Sequence, residues 1–397
     1  MNEFKRSTVE EVLSVLESGS RPSGGVDTES GTIPSLGGEN INQDGRMFYG
    51  VIKKVHDSFY QNMPRGHLLP YDVLINKDGA QTGKVAIYKG DFPHAAINEH
   101  LFLMRGKPNV IEQKFLCYYL IFEATQHQVI KMITGSAQPG INSGFTKYII
   151  IDIPPIESQR RIAEILDTIE ETIQKTEALI SKLKAMKQGL LHDLLTRGLD
   201  KNGKLRDPKA HPEQFKEFGL RKVPRSWTVG KLGTQLTFQR GFDITQTEQR
   251  PGNVPVVSSS GITSYHDRAM VNGPGVVTGR KGKLGQAYFI ESSFWPHDTT
   301  LWVKNFHENI PRFAALFIEW LRLERFDAAT SVPTLNRNFI HPMIVAMPPE
   351  YEQRQICAMA ESFNNRIRTE EQYRDKLKLQ KKGLMHDLLT GKVRVKV

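Results

Sequence analysis

Two segments of the chain carry core-type residues at alternating spacings of four and three, the pattern of a helix that packs along a second helix. In the first segment the series is Ile162, Leu166, Ile169, Ile173, Thr176, Ile180, Leu183, Lys187, Leu190 and Leu194. In the second segment it is Ile356, Ala360, Phe363, Ile367, Glu370, Arg374, Leu377, Lys381, Leu384 and Leu388. The pattern predicts helices over 157–196 and 351–390, each roughly 60 Å long at about 1.5 Å per residue.

The two predicted helices are copies of one sequence. Their shared motifs, Pro-Pro, Gln-Arg and His-Asp-Leu-Leu-Thr, begin at Pro154, Gln159 and His192 in the first copy and, 194 residues later, at Pro348, Gln353 and His386 in the second. An ungapped repeat of this length indicates two copies of one structural unit, and such copies commonly pack about a pseudo-twofold axis. We therefore expect two antiparallel helices with a globular domain at each end of the pair.

Outside the helices, short apolar runs flank glycine-rich turns, a pattern typical of β-hairpins. These runs occupy residues 73–75, 85–88, 276–278 and 286–290, and one buried helix is predicted in each half, at 112–131 and 311–326. The expected fold class is α+β, with two pseudo-twofold-related α/β domains separated by two long antiparallel coiled-coil helices. The predicted order is a first domain, a first helix, a connector, a second domain and a second helix, at 1–150, 151–199, 200–225, 226–345 and 346–397.

Composition and charge narrow the function only a little. The two cysteines, Cys117 and Cys357, are isolated, which predicts neither a disulfide framework nor a Cys-X-X-Cys metal or redox motif. No apolar run is long enough to span a membrane and no signal peptide is recognisable at the start, so we expect a cytoplasmic protein. The net charge of +10 favours a polyanionic partner. Because residues 1–150 hold 15 basic and 15 acidic side chains, nucleic-acid binding has to come from particular loops.

The sequence lacks the motifs of common enzyme sites. It has no GxGxxG unit, no GxxxxGK[ST] loop, no HExxH and no Asn-Pro-Pro-Tyr of the kind found in adenine methyltransferases. The His-Asp pairs at 192–193 and 386–387 lie at matching points of the helical repeat beside Leu-Leu, which favours a packing role over catalysis. Gly189 and Gly383 favour a close approach or a local bend, because glycine inside a helix costs about 1 kcal/mol relative to alanine. We predict a chain without catalytic residues, cofactor or metal.

One basic, glycine-rich loop in each half is the best candidate for contacting nucleic acid. Glycine allows the backbone to approach a phosphate, lysine and arginine neutralise it, and arginine can also pair with a guanine edge. A solvated hairpin turn is the alternative, but the presence of both loops at corresponding places favours DNA. The residues predicted to bind DNA from these loops, 76–84 and 278–286, are Lys77, Gln81, Thr82, Lys84, Thr278, Arg280, Lys281 and Lys283. Further candidates are Arg46, Lys53, Lys54, Arg240, Ser258, Ser259, Ser260, His266, Arg268, Asn336 and Arg337.

The paired motifs resemble those of the specificity (S) subunits of Type I restriction–modification systems. The residues that carry the resemblance are the helix starts 154–162 and 348–356, the helix ends 190–196 and 384–390, the entry segment 215–233 and the segments 279–282 and 297–301. The first domain departs from the second at its entry, because Ser7-Thr8-Val9 stands where the second has Trp227 with its neighbours.

The resemblance implies a non-catalytic subunit in which two target-recognition domains each read one half of an asymmetric bipartite DNA site. It implies that the paired helices set the spacing between the half-sites and dock two methyltransferase (M) subunits, and that up to two restriction (R) subunits join the complex. S-adenosylmethionine, ATP and magnesium would then bind to those partners, in the cytoplasm of a prokaryotic cell. The implied subunit-interface residues are Leu190, His192, Leu194, Leu195, Leu384, His386, Leu388 and Leu389.

Two alternatives stay open at this point. The chain could be a coiled-coil scaffold whose domains bind proteins, or an S-like companion of a fused restriction–methylation enzyme of the Type IIG kind. A spacer role for the helices has a physical basis, since two rigid domains reach half-sites on one face of DNA when these lie about 34 Å apart.

Overall fold

The computed structural model describes residues 4–22, 31–42, 44–135, 139–326 and 333–396. The chain divides into two compact units, the first formed by residues 1–177 with 373–397 and the second by residues 178–372. Each unit therefore combines one globular domain with a segment of both long helices. Among the described residues, no helix is both long and apolar enough to cross a membrane.

The first unit contains three small sheets and a helical layer. Its strands are β1 (Lys5–Thr8), β2 (Leu13–Ser18), β3 (Ile33–Leu36), β4 (Lys53–Val55), β5 (Val73–Asn76), β6 (Val85–Ile87), β7 (Ala96–Ile97), β8 (Leu101–Gly106) and β9 (Ile150–Ile153). Its helices are α1 (Val9–Val12), α2 (Asp57–Asn62), α3 (Gln113–Ile121), α4 (Glu123–Lys131) and the start of α5 (Ile156–Leu194). The strands pair in the orders β2-β8-β5-β6, β4-β3-β7 and β1-β9.

The second unit repeats this topology. Its strands are β10 (Phe215–Phe218), β11 (Arg221–Pro224), β12 (Thr228–Lys231), β13 (Thr237–Arg240), β14 (Val254–Ser258), β15 (Gly261–His266), β16 (Gly275–Gly279), β17 (Ala287–Ile290), β18 (Trp295–Pro296), β19 (Thr300–Asn305) and β20 (Ile344–Met347). Its helices are α6 (Leu232–Gln235), α7 (Pro311–Leu321), α8 (Arg337–Ile340) and the start of α9 (Glu350–Leu389). The orders β13-β19-β16-β17, β15-β14-β18 and β12-β20 match those of the first unit strand for strand, which confirms two related α+β domains.

The predicted buried helices exist but are interrupted. In the first domain the chain is extended at Phe122, with ψ of 134°, and this residue separates α3 from α4. In the second domain α7 ends at Leu321 because Arg322 adopts a left-handed conformation with φ of 49°. Neither break involves proline or glycine, so the sequence pattern gave no sign of it.

The long helices run antiparallel within each unit. In the first unit Glu170 of α5 pairs with Lys381 of α9 at 2.7 Å, and Glu177 pairs with Lys378 at 2.9 Å. The residue number thus increases along α5 while that of its partner on α9 decreases, as in an antiparallel pair. In the second unit Lys184 pairs with Glu371 at 2.6 Å, at the positions that the 194-residue repeat makes equivalent to Lys378 and Glu177.

Several predicted core positions near the helix ends are buried against the domains. Ile162 and Leu166 of α5 and Leu388 of α9 join the same hydrophobic core as Phe115 and Phe145 of the first domain. In the second unit the corresponding core takes in Leu194, Leu195 and Ile356. Most of the stability of these helices therefore comes from packing an apolar face rather than from helix propensity.

The connector has more structure than its sequence predicts. Residues 215–224 form a β-hairpin, β10 with β11. Arg206 lies in a buried ion pair with Glu352 of α9, with Nη1 2.8 Å from Oε1. Trp227 donates its indole N–H to the same carboxylate at 3.2 Å. The repeat places Ser158 where the second copy has Glu352, so the first domain has no carboxylate for an entry tryptophan, which accounts for the sequence difference between the two domains.

Candidate nucleic-acid interface

The shared Gln of the Pro-Pro motif joins each domain to its helix. Gln159 is almost fully buried; its Oε1 accepts from the backbone N–H of Glu112 at 2.8 Å and its Nε2 donates to the carbonyl of Val110 at 2.9 Å. Gln353 likewise accepts from the N–H of Ile310 at 2.9 Å. Glu112 and Ile310 are the residues that precede α3 and α7. Because a buried amide left without partners is costly, both joints are held in one geometry.

An ion pair adds a second connection at the second residue of each domain helix. Lys114 of α3 contacts Asp167 of α5 at 2.6 Å, and Arg312 of α7 contacts Glu361 of α9 at 3.5 Å. Asp167 and Glu361 are equivalent in the 194-residue repeat. Each domain is thus attached to the helices at two equivalent points. Two attachments restrict rotation of the domain, and a binding site needs such a rigid support to keep its position.

The two predicted loops occupy equivalent places in the two domains. The first turns between β5 and β6, and the second turns between β16 and β17. In the first, the N–H of Ile141 donates to the carbonyl of Lys77 at 2.7 Å; in the second, the N–H of Leu335 donates to that of Arg280 at 2.8 Å. Lys77 and Arg280 are therefore structural counterparts, and the prediction that the loops correspond is confirmed.

The second domain presents a cleft rich in cations beside its loop. The cleft has a volume of about 660 Å³ and is lined by Gln239, Arg240, Arg280, Leu301, Lys304, Thr334, Leu335, Asn336 and Arg337. Arg240 is half-exposed and pairs with Asp298 at 2.8 Å, while Arg280 donates to the carbonyl of Asp298 at 3.1 Å. Burial and the neighbouring charge of Arg240 lower the pKa of Arg280 from its ordinary value, but the guanidinium stays charged at neutral pH. Such a cleft suits a phosphate or a guanine edge.

The loop of the first domain is less basic. Lys77 donates to the hydroxyl of Ser18 at 3.1 Å, and its ammonium lies 5.5 Å from the ring centre of Phe102. Lys84 donates to the side chain of Gln81, and Thr82 donates to the carbonyl of Gly79 at 2.6 Å. Gln81 and Lys84 keep polar atoms at the surface, whereas Thr82 shapes the turn. The two domains therefore offer different chemistry on the same framework.

The remaining candidates differ in their exposure. Lys281, Lys283, Ser260, Arg268, Asn336 and Arg337 are exposed, and Lys54 and Ser258 are partly buried. Ser259, His266 and Thr278 are buried. Thr278 donates to the carbonyl of Gln286 at 2.8 Å, and His266 accepts from the N–H of Arg250 at 3.0 Å. These two side chains stabilise the fold and are not accessible to DNA, which corrects their prediction.

Two basic candidates of the first domain are held in ion pairs. Lys53 contacts Glu39 at 2.7 Å near the surface. Arg46 is mostly buried and contacts Glu170 at 2.5 Å and Glu177 at 2.6 Å, both on α5. Its guanidinium is directed to the helix, so a direct role in reading DNA is a poor fit to this arrangement. In the other direction, the sequence prediction missed Lys304, an exposed residue at the end of β19 that lines the cleft.

The predicted subunit interface divides into buried and exposed residues. Leu194, Leu195, Leu388 and Leu389 are at most 4% exposed in the cores of their own units, so the prediction that they contact a partner is wrong. Leu190 and Leu384 are partly buried against the same cores. The two histidines are exposed. His192 lies over the Trp320 ring and His386 over the Phe122 ring, each with ring centres 6.3 Å apart.

One group of side chains has the composition of a metal site. Ligand atoms of Asp243, His297 and Asp298 lie within 4.8 Å of one another. Asp298 already accepts from Arg240 at 2.8 Å, and the hydroxyl of Thr299 lies 3.0 Å from Nδ1 of His297. Two of the three side chains are therefore already engaged by neighbouring residues of the same domain.

Comparison with known proteins shows which protein family has this sequence and this fold. The family model described as "Type I restriction modification DNA specificity domain" matches residues 1–185 and 224–379. A Methanocaldococcus jannaschii protein that carries the name MjaX type I restriction enzyme specificity subunit is 23% identical over 368 residues, covering 86% of this chain and 83% of that protein. The MjaVIII specificity subunit of the same organism is 21% identical over 355 residues, covering 82% and 80%. The fold is similar to the solved structure of the Type-I restriction-modification S subunit from M. genitalium, with a TM-score of 0.60, 15% identity and coverage of 98% and 96%.

Proposed function

Because this chain belongs to the Type I restriction modification DNA specificity family, we propose that it directs its complex to an asymmetric, two-part DNA sequence. Each target-recognition domain reads one half of the sequence, and α5 and α9 hold the two readings at a set spacing. The chain itself carries no catalytic residue in this proposal. Methylation requires an M subunit with S-adenosylmethionine, and cleavage requires R subunits with ATP and magnesium.

The pair of equivalent loops is the observation that best supports recognition of two half-sites. Lys77 and Arg280 occupy the same place in two domains of the same topology. Arg280 shares a cleft with three further cations, Arg240, Lys304 and Arg337, whereas Lys77 donates to the hydroxyl of Ser18. A shared framework with different side chains supports two different half-sites, because side chains at base edges determine which bases are accepted.

The helices are the proposed docking surface for M subunits. Gly189 and Gly383 are exposed, and a Cβ built at either position would meet nothing within 4 Å. Nothing in the described parts of this chain therefore requires glycine there, although glycine weakens a helix. Close approach of another helix is a reason for glycine at both positions. Since the two positions are equivalent in the repeat, they support one M subunit for each copy.

Mapping methylated adenines across the genome tests the proposed function. Cells that express this chain with its M subunit are expected to carry adenine methylation at one two-part motif with a constant gap. Cells that lack only this chain are expected to lose methylation at that motif while other methylation is unchanged. An identical map in both strains would contradict a role in DNA specificity, and binding of both domains to protein alone would then favour the scaffold alternative.

Replacing Arg280 by alanine is expected to lower methylation of the cognate duplex about 10- to 100-fold, because a bidentate base contact contributes about 1–3 kcal/mol. The rate of methyl transfer to a duplex with the mapped sequence measures the effect. Loss of discrimination at one base pair of one half-site would indicate a base contact, and an equal loss on all sequences would indicate a phosphate contact. Arg354→Ala is the control, because Arg354 is exposed and pairs with Glu350 on its own helix; an equal loss in both variants would exclude the cleft.

A further inference from the structure

A turn in the first domain is shaped to present Arg46 to the long helices. The side chain of Asn42 accepts from the backbone N–H groups of Asp44 and Arg46, both at 2.9 Å. The N–H of Asn42 donates to the carbonyl of Arg46 at 3.0 Å. Gly45 has φ of 77° and packs where a Cβ would lie 2.7 Å from Ile121. The turn therefore fixes the direction of the Arg46 backbone independently of the contacts that the side chain makes.

The guanidinium of Arg46 spans two turns of α5. Its Nε lies 2.5 Å from Glu170 and its Nη1 lies 2.6 Å from Glu177. Each of these carboxylates also accepts from a lysine of α9, Lys381 at 2.7 Å and Lys378 at 2.9 Å. One arginine of the domain is thus tied to both helices through two shared carboxylates.

The ion pairs of Arg46 and Lys381 with Glu170 are partly shielded from solvent. The side chains of Arg46, Glu170 and Lys381 are 22%, 13% and 15% exposed. Burial opposes the charge of Glu170, but Lys381 and Arg46 together lower the pKa of this carboxyl below its ordinary value. The ammonium of Lys381 also lies 5.6 Å from the ring centre of Tyr118 on α3. Partly buried networks of this kind are screened by salt much less than surface pairs.

The second copy of the repeat does not preserve Glu170, the carboxylate that accepts from Nε of Arg46. Glu177 and Lys378 correspond to Glu371 and Lys184, which still pair, but the position of Glu170 is occupied by Asn364. Both units share two kinds of connection. One is made by Gln159 in the first unit and by Gln353 in the second, and the other is made by Lys114 and by Arg312. The contact of Arg46 is therefore an additional attachment on top of a joint that both domains possess.

We propose that Arg46 is a positioning residue, which locks the first target-recognition domain onto the long helices and thereby restricts the spacer length that the assembled complex accepts. This inference rests on the proposed function, because a spacer has meaning only if both domains read DNA. Arg46 acts through the helices and does not contact bases, so the sequences of both half-sites are unaffected by its loss.

The test is methylation of a set of duplexes with different spacers by the complex of the full chain with its M subunit. Once the genome map has given both half-sites, the gap between them is varied by one and two base pairs in each direction. The Arg46→Met variant is expected to raise the rate on neighbouring gap lengths, relative to the native length, about tenfold, a factor that corresponds to about 1.4 kcal/mol. Glu170→Gln is expected to shift this ratio in the same direction, and Arg46→Lys is expected to recover part of it.

Matched controls separate positioning from general loss of charge. Arg6→Met removes an exposed arginine of the same domain that pairs with Asp152, and Glu171→Gln alters the exposed neighbour of Glu170, which pairs with Lys175. Both are expected to keep the native ratio of rates. Unchanged gap selectivity in Arg46→Met, or equal broadening in Arg6→Met, would overturn the proposal. If the wild-type complex methylates no duplex, the proposed function itself fails, a result distinct from either outcome.

Discussion

Arg206→Met is expected to lower the free energy of unfolding by about 3 kcal/mol or more, because it leaves a buried carboxylate without its counter-charge. Glu352 has 0% exposure and accepts from both terminal guanidinium nitrogens of Arg206, at 2.8 and 3.2 Å. The N–H of Leu199, at 2.6 Å, and the indole of Trp227 would remain as its partners. Neither carries a positive charge, so the cost of burying the ion would persist.

Chemical denaturation of the purified chain measures this effect. The double variant Arg206→Met with Glu352→Gln is expected to lose less stability than the single variant, because the amide carries no charge and its single oxygen still accepts from the N–H of Leu199. Arg354→Met is the control, since the surface pair of Arg354 with Glu350 should contribute less than about 1 kcal/mol. Equal losses in Arg206→Met and Arg354→Met would show that the buried pair does not hold the connector to α9.

The second large effect is expected for assembly. Changing Gly189 and Gly383 together to leucine is expected to abolish binding of M subunits while making the isolated chain more stable. The gain in stability arises because a side chain fits in open space at both positions and because glycine costs about 0.5–1 kcal/mol inside a helix. The loss of binding arises because the new side chains occupy the space of a close helix–helix contact.

Native mass spectrometry of the variant mixed with M subunits, together with thermal unfolding of the variant alone, separates these two effects. Each single variant is expected to retain one M subunit, since the two copies of the repeat act independently in this proposal. Gln188→Leu and Gln380→Leu place the same side chain at exposed positions nearby on each helix and are expected to leave assembly intact. Full assembly of the double glycine variant would place the docking surface elsewhere on the chain.

The parts of the fold that the sequence predicts well are those with a repeated period. The helices α5 and α9 begin and end within a few residues of the prediction, because apolar positions such as Ile162 and Ile356 recur over many turns and the whole pattern occurs twice. The loops at Lys77 and Arg280 were recognisable because glycine and basic residues interrupt apolar strands at the same place in both halves.

The failures share a physical cause, which is that long-range pairing is invisible in local composition. The sequence predicts DNA binding by Arg46 from its charge alone, since the carboxylates that pair with it lie more than one hundred residues away on α5. Thr278 lies at the start of the basic loop in sequence, but it is the penultimate residue of β16, is buried and donates to the carbonyl of Gln286. Leu194 and Leu389 were assigned to a partner interface because an apolar helix end looks the same whether its own domain or another subunit covers it.

The joint made by Gln159 has an evolutionary consequence. Its amide contacts the main chain at Glu112 and Val110, and every residue type except proline supplies the same carbonyl and N–H. Substitutions at these two positions therefore leave the contacts of Gln159 intact, provided that position 112 is not proline. Side chains of the domain that make no contact with the helices can then change while Gln159 keeps the same main-chain partners, so variation of the domain surface does not require variation of this attachment.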